Sequence, residues 1–365
     1  MSKAKPNKKQ TPKKGGVPFP PFFLQVFFCQ LSRMQSSSEL FPVALMSAEF
    51  RGDLSEDVYR LKPSNSPDAS VELALTRLGK ADHGEERGVP VILIPGSFSN
   101  RRFWYSPKCI GLGPSLARAG FDVWIAEMRG HGLSPRNLAY RKNRVADYAR
   151  YDLPAIAAFV HEQTGQAPHW IGHSLGGVTL AAALGGRYLD EAHVASVAMF
   201  GSQVSRVYWP LKIPPLEWGS RLLLKRFEVL SGARLKRGPE DEPIGLALET
   251  LRWHGLFGRF GEGKKNDWWK GLADVQVPVL AVSADGDLQD PAWACRKLLN
   301  QFGSAQRSFL CLGKKQGFSA DFGHVEMLVS KEAQAEVWPL AEYWLRNLQL
   351  PAAHRTDESE REPAV

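Results

Sequence analysis

Gly172-His173-Ser174-Leu175-Gly176-Gly177 lies between an apolar run, Pro168-His169-Trp170-Ile171, and a stretch of small and apolar residues, Val178-Thr179-Leu180-Ala181-Ala182-Ala183-Leu184. The first run predicts a strand and the second a helix, so the glycines between them must make a sharp turn. Such a turn brings the backbone two residues before and two after Ser174 close to it. A Cβ at position 172 or 176 would clash there. Ser174 is then exposed at the end of a strand, and the next helix aims its free N–H groups and dipole at the same place. An anion formed there during acyl transfer would be met by donors.

Outward from this turn the chain alternates between apolar runs and helical stretches. Strands are predicted at 89–94, 121–126, 169–171 and 195–200, with helices at 147–164 and 175–189. The alternation stops at Gly201 and resumes with a strand at 277–282, a helix at 291–302, a strand at 307–312 and a helix at 331–347. Strands separated by helices predict a mainly parallel central sheet flanked by helices. Ahead of them, Val71, Leu73 and Leu75 alternate with Glu72, Ala74 and Thr76, the period of an edge strand. The expected organisation is an N-terminal extension over 1–45 without a fold, an α/β core over 46–202 and 273–350, an inserted helical cap over 203–272, and a disordered tail over 351–365. Tyr208, Trp209, Trp218, Phe227, Trp253, Phe257, Phe260, Trp268 and Trp269 all fall in the insertion. Because ligands bind outside the carboxyl ends of the strands, an insertion after one of those ends is placed to roof the site. For most of these aromatics, a small core of the insertion's own is the simpler expectation.

The net charge of +8 is unevenly spread. Residues 1–16 carry six lysines and no acid, residues 203–272 carry an excess of five basic residues, and the tail carries an excess of two acids. The body that remains sums to −1, so no basic face for nucleic acid is expected. Cys29, Cys109, Cys295 and Cys311 follow no metal-like spacing and are too few for a disulfide scaffold. They read as free thiols in a reducing, cytoplasmic setting, with no metal or cofactor expected. The apolar stretch from Val17 to Phe28 follows the lysines but contains three prolines and precedes no small-residue cleavage site. It reads as part of the extension, with Met34 and Met46 as alternative starts, rather than as a targeting signal. Membrane contact is not expected, unless through that extension or the cap.

A serine hydroxyl attacks only when a histidine takes its proton, and a carboxylate holds the histidine in the correct tautomer. In this type of fold they follow in the order serine, acid, histidine. Of the histidines after Ser174, His193 leads into a strand, His254 is in the insertion and His354 is in the tail. His324 remains, in a glycine-containing loop between the last strand and the last long helix. The acid is expected after the strand at 277–282, where Asp285, Asp287 and Asp290 are available. Asp290 precedes Pro291 and reads as a helix cap; Asp287 is the choice for the acid, with Asp285 as runner-up, and spacing alone does not separate them. The expected oxyanion donors are the backbone N–H of Leu175 and that of Ser97, in the loop Pro95-Gly96-Ser97-Phe98-Ser99-Asn100. Phe98 is an expected substrate contact. His173 and His131 read as packing residues.

Five segments together resemble the α/β-hydrolase superfamily of serine hydrolases over about residues 47–350. They are Val91 to Ser97, Glu127-Met128-Arg129-Gly130-His131-Gly132-Leu133-Ser134, Gly172 to Gly177, Pro278 to Asp287 with Pro291, and Phe322-Gly323-His324. Tyr151-Asp152-Leu153-Pro154-Ala155 is similar to a segment of the acid-lipase branch. The family's acid stands four residues before a proline, which favours Asp287. The chain departs from the family at Pro95, where a histidine is usual, and at Glu127, where many members have aspartate. The resemblance implies a Ser174–Asp287–His324 triad, an acyl-enzyme on Ser174, and a small-molecule ester substrate with a hydrophobic acyl part. Thioesterase and acyltransferase chemistry on the same fold is the alternative, as is a non-catalytic protein that binds a hydrophobic ligand or partner.

Overall fold

The computed structural model describes residues 1, 36–82, 87–206, 208–263 and 266–355. Two compact units part between Ser36 and Ser37, and the second contains every element below. Most of the expected extension, with Cys29, and the end of the expected tail lie outside the described residues.

A nine-stranded sheet forms the centre. Its strands are β1 (Val43–Arg51), β2 (Leu54–Leu61), β3 (Leu73–Lys80), β4 (Pro90–Ile94), β5 (Asp122–Glu127), β6 (His169–His173), β7 (Ser196–Phe200), β12 (Val279–Ala284) and β13 (Arg307–Leu312), ordered β1-β2-β3-β5-β4-β6-β7-β12-β13. Pairing is parallel from β5 to β13 and antiparallel among β1, β2, β3 and β5. The edge strand expected near 71–78 is therefore third from the edge. β1 and β2 were not legible: β1 is largely exposed on both faces, and in β2 the buried Glu56 occupies a slot where the apolar period requires a hydrophobe. Residues 43–45, expected in the unfolded extension, belong to β1.

Helices α1 (Leu112–Arg118), α2 (Leu153–Thr164), α3 (Leu175–Gly185), α6 (Ala292–Leu299) and α7 (Lys331–Asn347) belong to the core; α4 (Pro214–Leu224) and α5 (Ile244–His254) belong to the insertion. The side chains of β6 go to opposite faces of the sheet, Trp170 packing in the layer with Phe159 and Ile171 in the layer with Phe200. Ahead of α2, where one continuous helix was expected, Tyr148–Asp152 forms a π-helical turn. This widening lets the fully buried Asp152 accept from the Arg129 guanidinium, and such turns often mark functional neighbourhoods.

The insertion leaves after β7 and returns before β12. Besides α4 and α5 it holds two small strand pairs, β8 (Val229–Ser231) with β9 (Asp241–Pro243) and β10 (Gly261–Gly263) with β11 (Asn266–Asp267). Trp253, Phe260 and Trp268 are buried and meet edge to face at 5.1–5.8 Å. The expectation that most of the aromatics form a core is corrected for Tyr208, Trp209, Trp218, Phe227 and Phe257, which are exposed. Among the described residues, no helix is long and apolar enough to cross a membrane. Cys109, Cys295 and Cys311 are unpaired. At the C-terminal end, His354 stacks on Phe318 at 5.1 Å, so the first residues of the expected disordered tail are packed.

Candidate active site

Ser174 takes φ +50° and ψ −118° between β6 and α3, a conformation that an L-residue adopts only under constraint. Its N–H donates to Phe200 O at 2.8 Å and its C=O accepts from Ser202 Oγ at 2.9 Å. The two glycines expected to relieve the turn do so differently. A Cβ on Gly172 would stand 2.5 Å from Gly177 N, inside the turn itself. One on Gly176 would stand 2.5 Å from Ile94 O, so that glycine lets α3 dock against the end of β4.

That docking brings the loop after β4 against the turn. A Cβ on Gly96 would lie 3.0 Å from both Ser174 Cβ and His173 Nδ1. Ser97 and Leu175 thus flank the serine from two elements, and among the described residues neither N–H has a protein acceptor. Beside them lies a narrow cleft, with room for little more than a water molecule, lined by Ile94, Met128, Tyr148, Leu175, His131 and Glu242 among others. Among the described residues, Glu242 is the insertion's only contribution to this cleft. The Phe98 ring does not line it and turns toward the insertion, 3.1 Å from where a Cβ on Gly232 would be.

Asp287 and His324 meet as their order in the chain required: His324 Nδ1 lies 2.7 Å from Asp287 Oδ2. The other oxygen, Oδ1, accepts from the N–H groups of Gln289 and Asp290, each at 2.9 Å. Burial opposes ionisation of Asp287, but the hydrogen bond from His324 and these backbone donors outweigh it and hold the carboxyl below its ordinary range. Burial likewise opposes charge on His324, yet the hydrogen bond and charge of Asp287, then the charge of Asp290, raise its pKa above the ordinary histidine value. Asp285 faces away: Oδ1 accepts from Cys311 Sγ at 3.1 Å.

Two neighbours of the histidine were not assigned to it by the sequence. Asp290 does not cap α6, whose N-cap is Pro291 without a side-chain bond. Instead it is buried, accepts from Gln203 Nε2 at 2.9 Å, and places Oδ2 at 3.5 Å from His324 Nδ1. Burial pushes its carboxyl up to about 6. Gln289 lies with Nε2 at 3.3 Å from His324 Nε2, the nitrogen that would take a serine proton, and no hydrogen bond joins that nitrogen to Ser174 Oγ. Asp287, Asp290 and His324 bring three ligand-type atoms within 4.8 Å of one another. A cation there would have to displace the proton shared between Nδ1 and Asp287, so the geometry reads as a hydrogen-bonded pair.

His173 is buried and stacks on Phe103 at 4.4 Å. Its Nε2 donates to His324 O at 2.9 Å, tying the histidine loop to the serine turn. Burial lowers its pKa to about 3, so the ring is neutral. Glu127 accepts from Arg101 N at 2.9 Å and from Leu133 N at 3.1 Å, bracing the loop after β5 against the one after β4.

A family model described as the alpha/beta hydrolase fold matches residues 89–232. Among curated proteins, Lipase member N of Mus musculus is 33% identical over 135 residues, 33% of this chain and 34% of that protein. Gastric triacylglycerol lipase of Homo sapiens is 36% identical over 109 residues, 27% of each. The chain thus spans about a third or less of the length of these relatives. Of the solved structures, a thermophilic esterase from Thermogutta terrifontis, malate bound, superposes with a TM-score of 0.53 at 17% identity, covering 79% of this chain and 98% of that one.

Proposed function

Since the chain belongs to the α/β-hydrolase superfamily, we propose that it hydrolyses carboxylic esters through an acyl-enzyme on Ser174. The observation that carries this reading is the 2.7 Å Asp287–His324 pair at the same strand ends as the constrained Ser174. With Asp287 holding Nδ1–H, the free electron pair of His324 is on Nε2. His324 releases Gln289 and takes the hydroxyl proton as Ser174 Oγ bonds to the carbonyl carbon. The oxygen that becomes negative is met by the N–H groups of Ser97 and Leu175. The C–O bond to the alcohol then breaks, and the leaving oxygen takes the proton from Nε2. Water repeats the sequence on the acyl-enzyme, freeing the acid and restoring Ser174.

The apolar side chains of Ile94, Met128 and Leu175 beside the two donors support an apolar group next to the serine, and the name of similar curated proteins, triacylglycerol lipase, supports an acyl chain of appreciable size. The test is a panel of p-nitrophenyl esters, from acetate to palmitate, with wild type and Ser174→Ala. Turnover that rises with acyl length before falling, and that vanishes in the variant, is expected. Turnover retained by Ser174→Ala would defeat the proposal.

A further inference from the structure

The insertion meets the loop after β4 through buried charge. Glu242, on β9, is 2% exposed, and its two oxygens serve different partners. Oε1 accepts from the N–H of Phe98, the residue next to Ser97, at 2.7 Å. Oε2 lies 3.3 Å from His131 Nε2, and His131 Nδ1 lies 3.3 Å from Arg129 O. Both ring nitrogens face acceptors, which only the doubly protonated imidazolium satisfies. Burial works against that charge, but Glu242 outweighs it and holds the pKa of His131 above the ordinary value. A buried ion pair therefore joins the loop after β4, the loop after β5 and the insertion.

Further contacts fix the same residue. Phe98 O accepts from Glu240 N at 3.0 Å, and a Cβ on Gly238 would stand 2.2 Å from that oxygen, an approach only glycine permits. Asn100 Nδ2 donates to Glu240 Oε1 at 2.5 Å. Phe98 itself has φ +59°, a left-handed conformation that is unfavourable for a residue with a Cβ. The loop does not hold this shape by local preference. An unpaired carboxylate so close would also oppose negative charge on a substrate oxygen, whereas one paired with His131 presents little net field.

Building on the acyl-enzyme reading of Ser174, we propose that Glu242 is a positioning residue for the oxyanion loop. It fixes, through the Phe98 N–H, the backbone that aims the Ser97 N–H, and His131 is its counter-charge. The insertion then completes the oxyanion hole.

The experiment compares wild type, Glu242→Ala, Glu242→Gln and Ser174→Ala in p-nitrophenyl butyrate turnover and in amide hydrogen exchange of the peptide containing Phe98. Losing an oxyanion donor outright costs about 10²–10³-fold in kcat, so a misaimed one is expected to cost at least about tenfold, with KM changed by less than about twofold. In Glu242→Ala the Phe98 amide is expected to exchange faster. Glu242→Gln keeps an acceptor for Phe98 but loses the counter-charge to His131, and kcat should fall between the other two. Unchanged exchange in Glu242→Ala overturns the proposal, as does an unchanged kcat. If Glu242→Ala does not fold, wild-type kcat in Glu242→Gln overturns it. Ser174→Ala separates the two claims: its retained turnover defeats the acyl-enzyme reading, whereas its inactivity beside an unaffected Glu242→Ala defeats only the role of Glu242.

Discussion

Asp287→Asn perturbs the site at one atom. The asparagine oxygen can keep the N–H groups of Gln289 and Asp290 that Oδ1 now accepts, which turns its NH₂ toward His324 Nδ1. Nδ1 must then be the acceptor, the proton moves to Nε2, and the ring can no longer take one from Ser174. Where a triad acid has no substitute, this tautomer change costs about 10⁴-fold in kcat, or about 5.4 kcal/mol. Here a second carboxylate is close, with Asp290 Oδ2 at 3.5 Å from the same nitrogen against 2.7 Å for Asp287. A small movement of the ring would recover part of the loss, so the single variant is expected to fall by about 10³-fold, and Asp287→Asn with Asp290→Asn by the full ~10⁴-fold. The residual activity needs Asp290 ionised. With its carboxyl near 6, that activity is present above about pH 6 and lost below it; losing the Asp287 charge moves this limb downward. The assay is saturating p-nitrophenyl butyrate hydrolysis, with thermal unfolding to show that each variant folds. Asp285→Asn is the control and should keep wild-type kcat, since Asp285 contacts Cys311 and not His324. Asp287→Asn within about tenfold of wild type, with Asp285→Asn inactive, would refute the assignment.

In the wild type, His324 must be neutral to act as base. Because Asp287 and Asp290 hold its pKa above the ordinary value despite burial, kcat/KM should rise with pH along a limb lying above about 6.5; a limb at or below that value would deny the pairing in solution. Gln289 donates toward the nitrogen Ser174 needs and accepts from Arg237 Nη1 at 2.8 Å. Gln289→Ala is therefore expected to match or exceed wild-type kcat, and a loss beyond about tenfold would mean the glutamine assists instead. Trp268→Ala removes a fully buried ring packed on Trp253, Phe260 and Tyr188. Urea unfolding should show a loss of about 3–5 kcal/mol, and a loss below about 1 kcal/mol would mean this cluster is not a packed core.

The parallel half of the sheet was legible because its strands are buried on both faces. β4, β5, β6, β7 and β12 read as nearly unbroken apolar runs, and β13 and α7 fall where their patterns placed them. The antiparallel hairpin β1–β2 was not: β1 is exposed to water and carries no strong period, and in β2 the buried Glu56 contradicts the one it has. At the site, residues held by local turns, such as Gly172, Ser174 and Gly176, declared themselves through spacing. Asp290 and Glu242 did not: Asp290 was hidden behind the capping role its neighbour Pro291 suggests. Glu242 lies 144 positions from the Phe98 N–H it accepts, a pairing made by the path of the insertion over the sheet. Five of the insertion's aromatics could not be sorted from its core by composition, because exposure there is decided by which face of a short helix or loop packs.

The central claim is that Ser174 is a nucleophile activated by His324. A fluorophosphonate probe tests it without knowledge of the natural ester: the folded protein is treated, digested and sequenced by mass spectrometry beside a control hydrolase. One phosphonyl adduct on Ser174, absent from Ser174→Ala and strongly slowed in His324→Ala, is the expected result. Folded protein that stays unlabelled while the control reacts would contradict it.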